Sequence, residues 1–134
     1  MAVNFKRIAI SKFGYSEIDR EHEVFLDILN KIDYVYTNNP DHEMRRDVVV
    51  ELYKFLDFHF LSEENLMRMF DFPSLEEHKQ DHEKLQHLLA DIIGVSNMDM
   101  VDLSELKDFV NVWITEHINN LDGKLVQHLL EMKS

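Results

Sequence analysis

Apolar residues recur along this chain in alternating steps of three and four, the spacing that lays one stripe down a single face of an α-helix. Four such stripes follow one another: Ile18, His22, Phe25, Leu29, Ile32 and Tyr36; then Val48, Leu52, Phe55, His59, Glu63, Leu66 and Phe70; then Leu75, His78, His82, Leu85, Leu89 and Ile92; and last Leu103, Leu106, Val110, Trp113 and His117. Gly and Pro punctuate them. Gly14 precedes the first stripe, Pro40 separates the first from the second, Pro73 the second from the third and Gly94 the third from the fourth, while Gly123 interrupts the last one late. Asp41 stands where an N-cap belongs, and the pairs Ser74 with Glu77 and Asp102 with Glu105 have capping-box spacing. The pattern predicts helices over about 16–37, 41–71, 75–93 and 103–122, an N-terminal arm over about 1–15 and a short helical piece over 124–134. Connections this short make successive helices antiparallel. The expected fold is all-α, an up-down-up-down four-helix bundle forming a single domain over residues 1–134.

The stripes are not purely apolar. Five of the eight histidines, together with Glu63, occupy positions that should face the core. A lone core histidine is ordinarily just a hydrogen-bonded residue. Glu63 is harder to accommodate, because an ionised carboxylate in a bundle core costs several kcal/mol unless a cation compensates it, and the stripes contain no Lys or Arg. Height along the bundle decides the matter. At about 1.5 Å rise per residue, His22 lies ~9 Å from the start of the first helix, and His59 and Glu63 lie ~18 and ~12 Å from the end of the second. On the same scale His78 and His82 are ~5 and ~11 Å into the third helix, and His117 is near the end of the fourth. In an antiparallel bundle these positions share one end. Six metal-type side chains from four helices therefore meet in one slab, as a buried metal site requires and scattered core histidines would not.

Composition narrows the choice of metal. With no cysteine, thiolate sites, iron–sulfur clusters and thioether-bound haem are excluded, leaving His, Asp and Glu as ligands. Five imidazoles exceed what one tetrahedral zinc uses, so two metals sharing Glu63 is the economical count, and nitrogen donors with a bridging carboxylate suit iron. Glu-x-x-His and His-Glu-x-x-His pairs are absent, which disfavours ferritin-type oxidase or oxygenase chemistry and a zinc protease. The formal net charge of −12 argues against nucleic acid and anionic lipid as partners. No window approaches the ~18 apolar residues of a membrane span or resembles a signal-peptide core, so the expectation is no membrane insertion and a cytoplasmic location.

The segments "IDREH", "HFLSEENLM", "HKQDH" and "WITEHINNLD" together resemble the hemerythrins, specifically the single-domain bacterial kind, the bacteriohemerythrins. The resemblance runs from about Ile18 to Lys124. It implies two iron ions with an oxo or hydroxo bridge and no haem: one iron held by His78, His82 and His117, the other by His22 and His59, with Glu63 and Asp122 bridging them. It further implies reversible O2 binding at an open position on the second iron, in a pocket lined by Phe25, Phe60, Trp113, Ile114 and Ile118. Dioxygen is then the ligand, an oxygen-using enzyme is a candidate partner, and the protein is not an enzyme. Sensing of O2 or redox state, and di-iron enzymes handling nitric oxide, peroxide or iron for repair, are the competing functions. Members often carry an N-terminal Trp, where this chain has Phe5, Phe13 and Tyr15. Asp122 follows His117 by five residues, about 140° around a regular helix. The implied bridge thus predicts a π-bulge or similar distortion between Glu116 and Gly123. His42 and His87 fall off the stripes and read as solvated, the phase of His128 beyond Gly123 is open, and Glu64, beside Glu63 but off the stripe, reads as a surface residue.

Overall fold

The computed structural model describes residues 13–38, 41–94 and 102–132. Pro40, the arm residues 1–12 with Phe5, and the last two residues of the expected C-terminal piece lie outside them. The described residues form four helices: α1 (Ser16–Asn38), α2 (His42–Met69), α3 (Leu75–Ile93) and α4, residues 103–132. Cross-helix pairs show how they run. Glu21 meets His59 while Lys31 meets Glu51; Glu64 meets His82 while Asp57 meets Gln86; Asp81 meets His117 while Lys84 covers Trp113. In each pair one number rises as the other falls, so neighbours are antiparallel, and His22 against Asp122 closes α1 onto α4. The result is the expected all-α, up-down-up-down four-helix bundle.

Capping divides the helix starts. Asp41 accepts a hydrogen bond from the Met44 N–H at 2.9 Å, and Asp102 accepts from Ser104 and Glu105 at 2.9 and 3.2 Å. Ser74, by contrast, makes no side-chain cap: its φ of −100° and ψ of 27° do not present the hydroxyl to the first turn. The sharp turn ahead of α3 is held by backbone, with Phe72 N–H donating to the Met67 carbonyl at 2.9 Å while Asp71 adopts a φ of 51°. At the other entry, Phe13 and Gly14 N–H groups donate to the Asp19 carboxylate at 3.0 and 2.9 Å, a turn that needs the φ of 84° at Gly14.

The core comprises two apolar clusters. One, built around Phe25, Leu29, Ile32, Leu52, Leu89 and Leu106, fills most of the bundle; the other, around Tyr15, Ile18, Leu66, Met67, Leu125 and Leu129, closes one end. The buried stripes are wider than a strict seam, taking in Ile28, Val35, Val49, Leu56, Ile93 and Phe109, while Tyr36 at the end of the first stripe is exposed. Leu52 has no exposed surface, and its replacement by Ala should destabilise the chain by about 2–5 kcal/mol, read from the midpoint of chemical unfolding. A loss below about 1 kcal/mol would contradict its place in the core.

α4 departs from regular helix twice. α-helical stretches at Leu103–Phe109, Thr115–His117 and Gly123–Met132 are joined by π-helical turns at Val110–Ile114 and Ile118–Asp122. The second is the distortion expected between Glu116 and Gly123. The first was not expected, and it corrects the fourth stripe: with the turn widened to i→i+5 bonding, Val110 and Ile114 face the core and Trp113 faces out. Gly123 does not interrupt the helix either. It has ordinary helical angles, and its role is room: an added Cβ would sit 3.4 Å from the Phe13 ring. No helix among the described residues is long and apolar enough to cross a membrane.

Candidate metal centre

Between the two apolar clusters lies a polar layer. The buried polar residues among those described are His22, His59, Glu63, His78, His82, His117 and Asp122, each 3% exposed or less, and they are the seven residues implied as ligands. α1 supplies His22, α2 supplies His59 and Glu63 one turn apart, α3 supplies His78 and His82 one turn apart, and α4 supplies His117 and Asp122. The pairs at i and i+4 share a face by regular helical spacing. His117 and Asp122 share one only because the π turn at Ile118–Asp122 takes up the extra residue.

The seven form two overlapping groups of donors. Glu63, His78, His82, His117 and Asp122 offer ligand atoms within 4.8 Å of one another, and so do His22, His59, Glu63 and Asp122. The two carboxylates belong to both groups, and their oxygens divide accordingly. Glu63 Oε1 lies 3.0 Å from His82 Nε2 and 3.4 Å from His78 Nε2, whereas Oε2 faces His59 Nε2 at 3.4 Å. Asp122 Oδ1 lies 3.0 Å from the Nε2 atoms of His78 and His117, whereas Oδ2 lies 3.1 Å from His22 Nε2 and 3.8 Å from His59 Nε2. Each carboxylate thus offers one oxygen to a three-histidine half and one to a two-histidine half.

The layer demands positive charge. Burial opposes a proton on His59, yet the charges of Glu63 and Asp122 and the hydrogen bond to Glu21 outweigh it and raise the pKa to about 10. Burial likewise opposes charge on His78 and His117, and Asp122 and Glu63 again prevail, lifting His78 above and His117 well above the usual range. Burial pushes both Glu63 and Asp122 up, and the charge of Asp122 pushes Glu63 further, but the surrounding imidazoles hold both carboxyls below their usual values. Without metal, protons on the rings do what a cation would otherwise do. They do it incompletely, since His59 Nε2 and Glu63 Oε2 face each other without a hydrogen bond. Orphaned His59 Nε2 and Glu63 Oε2 facing each other, five imidazole nitrogens and two shared carboxylates fit a pair of borderline cations such as iron.

The hemerythrin HHE cation binding domain model matches residues 14–129. The chain belongs to the hemerythrin family. Relatives include the bacteriohemerythrins of Clostridium acetobutylicum, 27% identical over 86% of this chain and 93% of its own length, and of Aquifex aeolicus, 27% identical over 90% and 93%. The hemerythrin-like protein of Naegleria gruberi is 23% identical over 83% of this chain and 82% of its own. No solved structure matches significantly. As a hemerythrin, the protein is of the non-haem di-iron, oxygen-binding type, and its buried His, Glu and Asp cluster is able to hold metal ions.

Three residues of this hemerythrin centre escaped sequence reasoning. His59 Nδ1–H donates to Glu21 Oε1 at 2.7 Å, His82 Nδ1–H to Glu64 Oε2 at 2.9 Å and His117 Nδ1–H to Asp81 Oδ2 at 2.6 Å. With Nδ1 carrying that proton, Nε2 is the nitrogen left to face the interior. Glu64 is therefore no free surface residue. The signal was adjacency: Glu21, Glu64 and Asp81 each neighbour an inward residue in sequence, but a one-helix stripe cannot show that they reach the next helix. The hydrogen bond from His117 holds the Asp81 carboxyl below its usual range.

Of the five residues expected around a pocket, four are buried. Phe60 stacks on His82 at 4.2 Å between ring centroids and lies 6.0 and 5.8 Å from the rings of His59 and His117, and Phe25, Ile114 and Ile118 are buried in the same apolar cluster. Trp113 is the exception, 39% exposed with Lys84 Nζ 4.4 Å from its ring centroid, and it lines a half-open cleft together with Asp81, Leu85 and His117. His42 and His87 are exposed, and His128 donates from Nε2 to the Phe70 carbonyl at 2.8 Å, tying α4 to the end of α2.

Proposed function

We propose that this chain binds O2 reversibly at its di-iron centre, for storage, delivery or sequestration, with His78, His82 and His117 on one iron, His22 and His59 on the other, and Glu63 and Asp122 across both. The observation that carries the reading is the inequality of the two halves: five residues converge on one and four on the other. A cation with four protein donors keeps room for a small external ligand, and one with five keeps less. When bound, the irons supply the reversible two-electron chemistry that O2 binding needs.

The chain's own residues supply the rest. Phe60, Phe25, Ile114 and Ile118 form the apolar wall that keeps water away, and a dry site strengthens every charge interaction within it. Among the described residues no Lys, Arg or Tyr joins the buried polar layer, and Glu21, Glu64 and Asp81 lie behind the rings, each already accepting an Nδ1–H. A bound ligand therefore meets no general acid to drive O–O cleavage, which favours release over turnover. Reducing the iron-loaded protein without air and then admitting O2 should produce a visible absorption band that vanishes on deoxygenation and returns over repeated cycles. Oxidation in one irreversible step, with no such band, would overturn carriage in favour of sensing or enzymatic use.

A further inference from the structure

The rings of the metal centre are not all held from behind, and the holding is uneven. In the three-histidine half both His82 and His117 donate their outer N–H to a carboxylate, of Glu64 and Asp81. In the two-histidine half only His59 does, to Glu21; His22 Nδ1, like His78 Nδ1 in the first half, is buried without a hydrogen-bond partner among the described residues. Glu21 is itself fixed by the Ser62 hydroxyl, which donates to its second oxygen at 2.9 Å. Each carboxylate stands next in sequence to an inward residue of its own helix and reaches a ring on the following one: α1 to α2, α2 to α3, α3 to α4. A carboxylate behind an imidazole fixes its tautomer and orientation and makes its other nitrogen a stronger donor.

We propose that Glu21, Glu64 and Asp81 are positioning residues that make the two halves unequal, so that the three-histidine half takes a divalent cation first and the two-histidine half takes the second chiefly through Glu21 and His59. The inference rests on the di-iron reading above and deepens it. The first half has more donors, with two of its rings braced. The second has fewer donors and one braced ring, and it shares Glu63 and Asp122, whose charge the first cation has already partly neutralised. Loading is then ordered.

The test is a titration of the full metal-free chain with Co2+ under anaerobic conditions, counting bound ions by native mass spectrometry and following the visible cobalt spectrum, which reports coordination number. A one-cobalt species should accumulate before the two-cobalt species. Glu21→Ala should leave the first event in place and weaken the second by about 10- to 100-fold, with Glu21→Gln, which still accepts the N–H without the charge, falling between. Asp81→Ala should instead weaken the first event. Circular dichroism of each metal-free variant checks helicity, and the Gln variant carries the test if the Ala variant unfolds. Joint uptake of both ions with no one-cobalt species overturns the inference, as does Glu21→Ala weakening both events alike, the result a merely structural role would give. A wild-type chain that takes up fewer than two ions overturns the di-iron reading itself.

Discussion

Glu63→Ala should lower the iron content of the purified chain from two per molecule to one or fewer. Glu63 Oε1 faces His78 and His82 while Oε2 faces His59, so the substitution removes a donor from both halves at once. The three-histidine half would keep three imidazoles and an Asp122 oxygen, a set that can still hold a metal. The two-histidine half would be left with His22, His59 and the other Asp122 oxygen. It would also lose a charge no neighbour can replace, because the buried polar layer contains no second acid besides Asp122. Glu63→Gln separates charge from volume: it fills the same space, so iron lost from both variants is lost for want of the carboxylate and not because a void has formed. Retention of two irons by Glu63→Ala, measured by colorimetric iron assay against protein concentration, would refute its bridging place.

The metal-free chain should lose stability as the solution is made alkaline, while the iron-loaded chain should not. His59 binds its proton far more tightly folded than unfolded, with a pKa raised from the usual 6.5 to about 10, and His78 and His117 are raised as well. A group with a raised folded pKa binds more protons folded than unfolded between the two values, so stability falls with pH there. The histidine contribution is fully present below about pH 6.5 and is lost as the pH rises through the folded values, near 10 for His59. Glu63 and Asp122 are lowered, so their contribution is present above the usual carboxyl range and is lost only as the pH falls through the folded values. The metal-free bundle should therefore melt highest near pH 5–6 and progressively lower toward pH 9, about 1.4 kcal/mol per unit for each histidine that must give up its proton. In the loaded chain the cations supply the positive charge, and the same alkaline range should change its melting point little. Thermal scans of both forms from pH 5 to pH 9 make the comparison; a metal-free melting point that rises across that range would contradict the proton-filled layer.

The place of Glu63 and the raised pKa of His59 arise at different levels of structure. Glu63 is visible as an anomaly in a one-dimensional pattern, an acid in an apolar stripe one turn from His59, and matching heights along four helices turns that anomaly into a site. The pKa of His59 is not visible that way, because it arises from Glu63, Asp122 and Glu21, which stand on three different helices. Asp122 sits between these cases. Its spacing from His117 contradicts a regular helix, and the distortion that resolves it could be located from the family resemblance, but the matching widening at Val110–Ile114 carried no sequence signal and sent Trp113 outward.

The sequence by itself determined the four helices, the order in which they pack and the layer at which their histidines meet, because helical period and rise convert residue number directly into face and height. It also determined the type of chemistry, since a chain with no cysteine and a buried acid among imidazoles has few cations it can hold. Only the tertiary structure decided which carboxylate oxygen faces which half, which rings are braced by Glu21, Glu64 and Asp81, and which side of α4 looks inward. Those are relations between helices or consequences of hydrogen bonds that skip one residue, and a pattern read along one strand of chain contains neither.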